Sequence, residues 1–318
     1  MGWIPDGDVY QEGSEKCLNG LFGVVKAGKF TSAGSPILRV IMNLVPTNRL
    51  FQVICGDIQL LPQGAAWVPL VMAEGEELKI SQGDMSAAFY LFSVPAAWRP
   101  YMCFNYLAKG EDIGKTAGQC YRPCCLVLPM GWSSSVGIMQ MLSRELLLTQ
   151  GVPAALELHK GRAAPGGFTD VVGRASSTTA WWQVYLDNYM SAELYDKDYN
   201  AVDVSLQSMA MDAWHGAGVL TADDKQVLGA NSAVELGVRL EGVHGLMGAS
   251  PERLFKTILA SVWLLMKHGS STRDAQVVLG RRIFILQYRR AAMCVLSKAW
   301  MALEGPWTSM RSRKDLLR

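Results

Sequence analysis

The chain has 318 residues, half of them hydrophobic and 18% charged, with a net charge of +2. That length and apolar content support packed cores in two or three structural units and exclude a disordered chain. The longest apolar run, Thr257 to Met266, lies between Lys256 and Lys267 and falls far short of the ~20 residues of a membrane span, so no membrane partner is expected.

The acidic N-terminus lacks the basic-then-apolar order of a secretory signal, which predicts an intracellular protein, cytoplasmic or nuclear. Seven cysteines show no paired CxxC spacing. The histidines (His159, His215, His244, His268) stand far from the Cys124-Cys125 cluster, so reduced, mostly buried thiols are expected rather than zinc. Charge is unevenly spread: from Glu252 to Arg318 there are 13 Lys and Arg against 4 Asp and Glu. A basic C-terminal end suits a nucleic-acid backbone or a solvated charged face.

In chain order, Leu21–Lys26 and Pro36–Leu44 read as two strands joined by a Gly- and Ser-rich segment, a hairpin carrying Lys26, Lys29 and Arg39. After a mixed region, Leu78–Gly83 reads as a strand that delivers Asp84 to its end. Ser86–Tyr90 then turns away as a compact helical segment closed before Pro95. Tyr101–Phe104 and Tyr121–Leu128 are further strands. Leu128-Pro129-Met130-Gly131 precedes Ser133-Ser134-Ser135, which are placed to cap a helix running through Leu147 with its positive end open to a phosphate. Residues 151–179, rich in Gly, Ala, Pro, Ser and Thr, read as a loop insertion without a P-loop signature.

Trp181 to Met190 reads as a hairpin whose turn is Asp187-Asn188, which would hold the Asp187 carboxylate at its tip. Near the end, Ser271 and Asp274 suit a helix N-terminal capping box. Arg282 and Arg289 share a helical face opposite an apolar stripe of Phe284, Tyr288, Ala291 and Val295.

Taken together and in this order, these stretches resemble the reverse transcriptases of retroelements. The basic hairpin is Lys26 to Asn43. A strand ending in Asp, followed by a small residue and an aromatic, is Asp84 to Phe89. The Leu-Pro-x-Gly turn is Leu128 to Gly131, and Tyr185 to Asn188 resembles the Tyr-x-Asp-Asp hairpin. Ala217 to Lys225 looks like the segment ending in a palm lysine, Val234 to Leu240 like the primer-gripping hairpin, and Pro251 to Leu303 like a helical thumb. The resemblance covers about residues 20 to 303 and rests on collinearity rather than on any one motif.

The resemblance implies an α+β right-hand polymerase: fingers over residues 1–83 and 96–128, palm over 84–95 and 129–243, thumb over 244–305, and a basic tail over 306–318. It implies an RNA-directed DNA polymerase that uses two Mg²⁺ or Mn²⁺ ions held at Asp84, Met85 and Asp187. Lys26, Arg39, Met85, Phe89, Met130 and Gly131 would form the deoxynucleoside triphosphate site, Phe89 rejecting a 2′-hydroxyl. Lys225 would donate a proton to pyrophosphate, and Tyr185, Arg282 and Arg289 would meet an RNA or DNA template-primer duplex. The departure is Asn188, where the family usually has a second Asp; an amide offers a neutral oxygen and no charge, which implies a weakened or Mn²⁺-favouring enzyme, or an inactive relic that still binds nucleic acid. A template-dependent RNA polymerase is disfavoured by bulky Phe89. Nothing after Leu303 resembles a ribonuclease H, integrase or protease, so the chain is expected to be part of a larger polyprotein or a truncated copy.

Overall fold

The computed structural model describes residues 1–164, 180–196, 205–267 and 271–304, as a mixed α+β fold. It opens with β1 (Gly2–Pro5), a small ribbon of β2 (Gln11–Glu12) and β3 (Glu15–Lys16), and the long antiparallel hairpin of β4 (Leu18–Phe30) and β5 (Pro36–Asn43), followed by α1 (Val45–Leu50). The chain next forms β6 (Glu76–Asp84), then returns as β7 (Cys103–Phe104), β8 (Ala108–Lys109) and β9 (Cys120–Cys124) before α2 (Ser135–Thr149). The first sheet runs β1-β9-β7-β4-β5, with β8 on β9. Its parallel β4–β7 junction is held by the buried Asn19 side chain, which donates to the Cys103 carbonyl (2.9 Å) and accepts from the Thr47 hydroxyl (2.9 Å). Cys103, Cys124 and Cys125 are buried free thiols; burial pushes Cys103 and Cys125 up to about 12, which keeps them protonated and unreactive.

The second sheet contains β10 (Ala180–Tyr185) and β11 (Asn188–Asp196); after α3 (Ser205–Gly216) comes its last strand, β12 (Val227–Ala230). Its order is β10-β11-β6-β12. Both faces are covered, which is why Trp181-Trp182 and Tyr189-Met190 are apolar pairs rather than alternating with polar residues. Trp182, Val184 and Tyr189 face a core that includes Met139 and Leu147 of α2 and Leu206 and Trp214 of α3. Trp181, Met190 and Ile80 face a second core with Trp67, Val238 and Tyr288. At the apolar-area rate, each such side chain contributes about 2–3 kcal/mol. The expected unit boundary at 83 falls inside β6, whose partners all lie in this second sheet, so 76–83 belong there.

The hairpin of β13 (Ser232–Glu235) and β14 (Val238–Glu241) turns at Leu236-Gly237, both at positive φ, and continues to β15 (Leu246–Ala249). Helices α4 (Pro251–Met266) and α5 (Thr272–Leu286) follow, then a 3₁₀ stretch Gln287–Leu296 and α6 (Ser297–Glu304). The Ser271–Asp274 capping box forms as expected. The expected Arg282–Arg289 helical face does not. The α-helix ends at Leu286 and Arg289 is non-helical (φ −138°, ψ 62°); Phe284 and Tyr288 pack in the second core, while Val295 is left exposed. One face of α4, including Phe255, Ile258, Leu259, Val262 and Met266, is exposed and apolar. Among the described residues no helix is long and apolar enough to cross a membrane. Much of the expected insertion (165–179), the basic tail (306–318) and the side chain of Lys29 lie outside what is described.

Candidate functional site

Strand β6 ends at Asp84, and β11 lies antiparallel beside it so that Asn188 is the cross-strand partner of Asp84. Tyr185 pairs with Asn188, leaving Leu186-Asp187 as the two-residue turn. The turn is therefore one residue earlier than the Asp187-Asn188 turn expected from sequence. Leu186 takes the left-handed conformation (φ 58°), which costs a non-glycine residue about 1–2 kcal/mol. Helix α2 holds it there. The fully buried Gln140 side chain donates to the Val184 carbonyl (2.8 Å) and accepts from the Leu186 N–H (2.9 Å), while Ser143 donates to the Leu186 carbonyl. A one-residue slip would carry Trp182, Val184 and Tyr189 to the wrong face.

The turn is tied to the residue after Asp84: the Met85 N–H donates to the Asp187 carbonyl (2.8 Å). From the other side, the Ala222 N–H donates to the Asp84 carbonyl (2.8 Å), the Ser86 N–H donates to the Leu220 carbonyl (2.7 Å), and Lys225 forms an ion pair with the Asp84 carboxylate. Residues 84, 85, 187, 188 and 225, a hundred and more positions apart in places, thus meet at one end of the second sheet. Burial, followed by the negative charge of Asp84, raises the Asp187 carboxyl above its ordinary range. The Asp84 carboxylate in turn raises Lys225, whose side chain is 59% exposed.

Sequence reasoning missed Glu235. This residue is 5% exposed at the end of β13, and both its oxygens accept from the Asn188 amide Nδ2 (3.2 and 3.0 Å), one of them also from Gln82 Nε2 (2.8 Å). Burial pushes its carboxyl up to about 7, with further upward contributions from Asp84 and Asp187. Only its place after an alternating strand, two residues before a glycine turn, hinted that it points inward. Gln140 and Ser143 were also missed, since a polar pair on an amphipathic helix gives no sign of what it will clamp.

The other expected residues are placed as follows. The Met85 side chain is buried in the first core, and its backbone is tied to Asp187 and bridges Thr221. Phe89 follows Ala87, which is left-handed (φ 54°), in a 3₁₀ turn rather than a regular helix, and packs partly against that core. A cavity of about 140 Å³ is lined by Met42, Leu128, Met130 and Gly131 together with Tyr90, the neighbour of Phe89. Gly131 is there for space: a Cβ would lie 2.0 Å from the Met42 carbonyl oxygen. The helix start behind it is not open to a phosphate. Ser134 and Ser135 are buried and cap nothing; Ser134 accepts from the Ile54 N–H (3.0 Å) and Ser135 donates to the Pro129 carbonyl (2.5 Å). Lys26 and Arg39 are exposed on the β4–β5 hairpin, where Arg39 pairs with Val24. Arg282 donates to the Ser261 hydroxyl (3.2 Å) across α4, and Arg289 is exposed.

No protein-family model matches the sequence, and no curated protein does. Solved structures do. A foamy viral protease-reverse transcriptase in complex with double-stranded DNA aligns over 99% of this chain and 44% of its own, with a TM-score of 0.57 and 14% identity. The same viral enzyme in complex with an RNA/DNA hybrid aligns over 94% and 33%, with a TM-score of 0.52 and 14% identity. The chain has a reverse-transcriptase-like fold. A third match, again to the foamy viral protease-reverse transcriptase with double-stranded DNA, has a TM-score of 0.53 at 14% identity and covers 89% of this chain and 44% of that one. This reverse-transcriptase-like chain thus spans less than half the length of the proteins it matches.

Proposed function

We propose that the chain is an RNA-directed DNA polymerase of a retrotransposon-like element, which extends a primer 3′-hydroxyl with deoxynucleoside triphosphates on an RNA or DNA template. One observation carries the reading: Asp84 and Asp187 stand side by side at the end of the second sheet of a reverse-transcriptase-like fold. In this reading the first sheet forms the fingers, the second the palm and the C-terminal helices the thumb.

The donors fit hard divalent cations. The charge of Asp84 adds to burial in raising the proton affinity of Asp187, and the Asp84 carboxylate has drawn in the Lys225 ammonium, so the sheet end attracts positive charge. Asp84, Asp187 and the Met85 carbonyl would hold Mg²⁺ or Mn²⁺. Bound there, two such ions supply the positive charge that activates the primer hydroxyl and stabilises departing pyrophosphate. The protein's own groups do the positioning. Lys26 and Arg39 reach the triphosphate from the hairpin, Met130 and Gly131 shape the floor beneath the base pair, and Phe89 limits the space at the sugar 2′ position. Lys225, its proton held tightly by Asp84, would be the group that gives a proton to the leaving pyrophosphate. Tyr185, Arg282 and Arg289 face the duplex.

The test is primer extension on a primed RNA template with deoxynucleotides and Mg²⁺ or Mn²⁺, with Asp187→Ala as control. Extension by the unaltered chain and none by the control supports the polymerase. Equal traces from both, with duplex binding retained, would make the chain a nucleic-acid-binding relic.

A further inference from the structure

We propose that Glu235 is a third acidic residue of this centre, supplying from the neighbouring β13–β14 hairpin the negative charge that position 188 lacks, and that Asn188 is the amide matched to it. The proposal rests on the polymerase reading. Glu235 does not adjoin Asp84 or Asp187 in sequence; it reaches them through their neighbours. Asn188 follows Asp187 and is the cross-strand partner of Asp84, and Gln82 stands two residues before Asp84 on β6. Glu235 accepts hydrogen bonds from both.

Three features separate this from an ordinary buried side chain. First, Glu235 is more than nine-tenths buried, yet its hydrogen-bond donors are neutral amides, and among the described residues no Lys, Arg or His forms an ion pair with it. A carboxylate taken out of water without a counter-charge works against folding, which argues that its charge has a use. Second, the fields of Asp84 and Asp187 both act on it, so it lies within electrostatic reach of any cation they hold. Third, the pairing is chemically one-sided. An Asn at 188 donates its Nδ2 hydrogens to Glu235 and keeps its Oδ1 as an acceptor. An Asp at 188 would set two carboxylates at hydrogen-bond distance, and one would have to take a proton. An amide at 188 with a carboxylate at 235 therefore carries the same charge as the reverse arrangement.

Glu235 is thus a positioning residue: it aims Asn188 and adds charge behind it without touching substrate. The test uses the full chain, Mn²⁺ as probe in titration calorimetry, circular dichroism as a check of folding, and primer extension alongside. Glu235→Gln, which keeps the shape and hydrogen-bonding reach, is expected to stay folded and bind Mn²⁺ about tenfold more weakly, as loss of an outer-shell partner does. Asn188→Asp alone gains no affinity. The exchanged pair, N188D with E235Q, recovers most of what E235Q loses, which a merely structural contact would not produce. Mn²⁺ affinity unchanged in E235Q, or an exchanged pair no better than E235Q, overturns the proposal while an Asp187→Ala variant that loses binding keeps the polymerase reading intact. If Asp187→Ala binds Mn²⁺ as well as the unaltered chain and neither extends a primer, that reading fails and this proposal falls with it.

Discussion

Glu235 also has a consequence for stability, whatever its use. Its carboxyl is pushed from an ordinary 4.5 up to about 7, chiefly by burial and then by the charges of Asp84 and Asp187, with the Asn188 and Gln82 amides working the other way. The folded state therefore binds this proton more tightly than the unfolded chain between pH 4.5 and 7, and stability falls as pH rises through that window, by about 3 kcal/mol at most. Asp187, also raised, adds to the same trend at lower pH. Urea titrations of Glu235→Gln against the unaltered chain should show near parity at pH 4.5 and a variant more stable at pH 8. A gap that does not widen with pH would mean that Glu235 is charged without penalty. Lys225 makes the opposite prediction for binding: it occupies Asp84, so Lys225→Ala should tighten Mn²⁺ affinity by about two- to fivefold as the competing charge is removed, while slowing primer extension. Calorimetry and extension measured on one preparation separate the two effects.

Among the elements, the hairpin and its helix clamp matter most. Gln140→Ala would strip partners from the Val184 carbonyl and the Leu186 N–H in a buried setting and should cost about 2–4 kcal/mol, read from the urea midpoint. Gly131→Ala would force a methyl group onto the Met42 carbonyl and should cost more than about 2 kcal/mol by the same measurement. These two residues mark what a sequence can and cannot disclose. The strands were legible because their residues are β-formers with clear ends, so β4–β5, β6, β10–β11 and β13–β14 lie close to where they are expected. The convergence of Asp84 and Asp187 was legible only through the order of weak motifs. The exact turn was not: Asp-Asn favours a turn locally, but the Gln140 clamp and the two-sided core fix the register, and both come from distant parts of the chain. The kink at Arg289 was hidden too, since the helical spacing of Phe284, Tyr288, Ala291 and Val295 continues past Leu286, where the α-helix ends.

At the scale of the molecule, Arg281, Arg289, Arg290 and Lys298 are exposed on the C-terminal elements, and under the proposed function such cations would meet a duplex backbone. Removing Arg289 and Arg290 together should weaken duplex binding for all sequences alike and flatten its dependence on salt by about two in the logarithmic slope, as measured by fluorescence anisotropy at several salt concentrations. The topology has a further consequence, for the way the protein is made. Strand β6 is complete at Asp84, but its neighbour β11 begins only at Asn188 and β12 at Val227. At synthesis rates of ~5–20 residues per second, β6 leaves the ribosome some five to twenty seconds before either partner exists. During that interval Leu78 and Ile80 lack the Met190, Ala192 and Leu240 side chains that complete their core, so chains released early should aggregate through this segment.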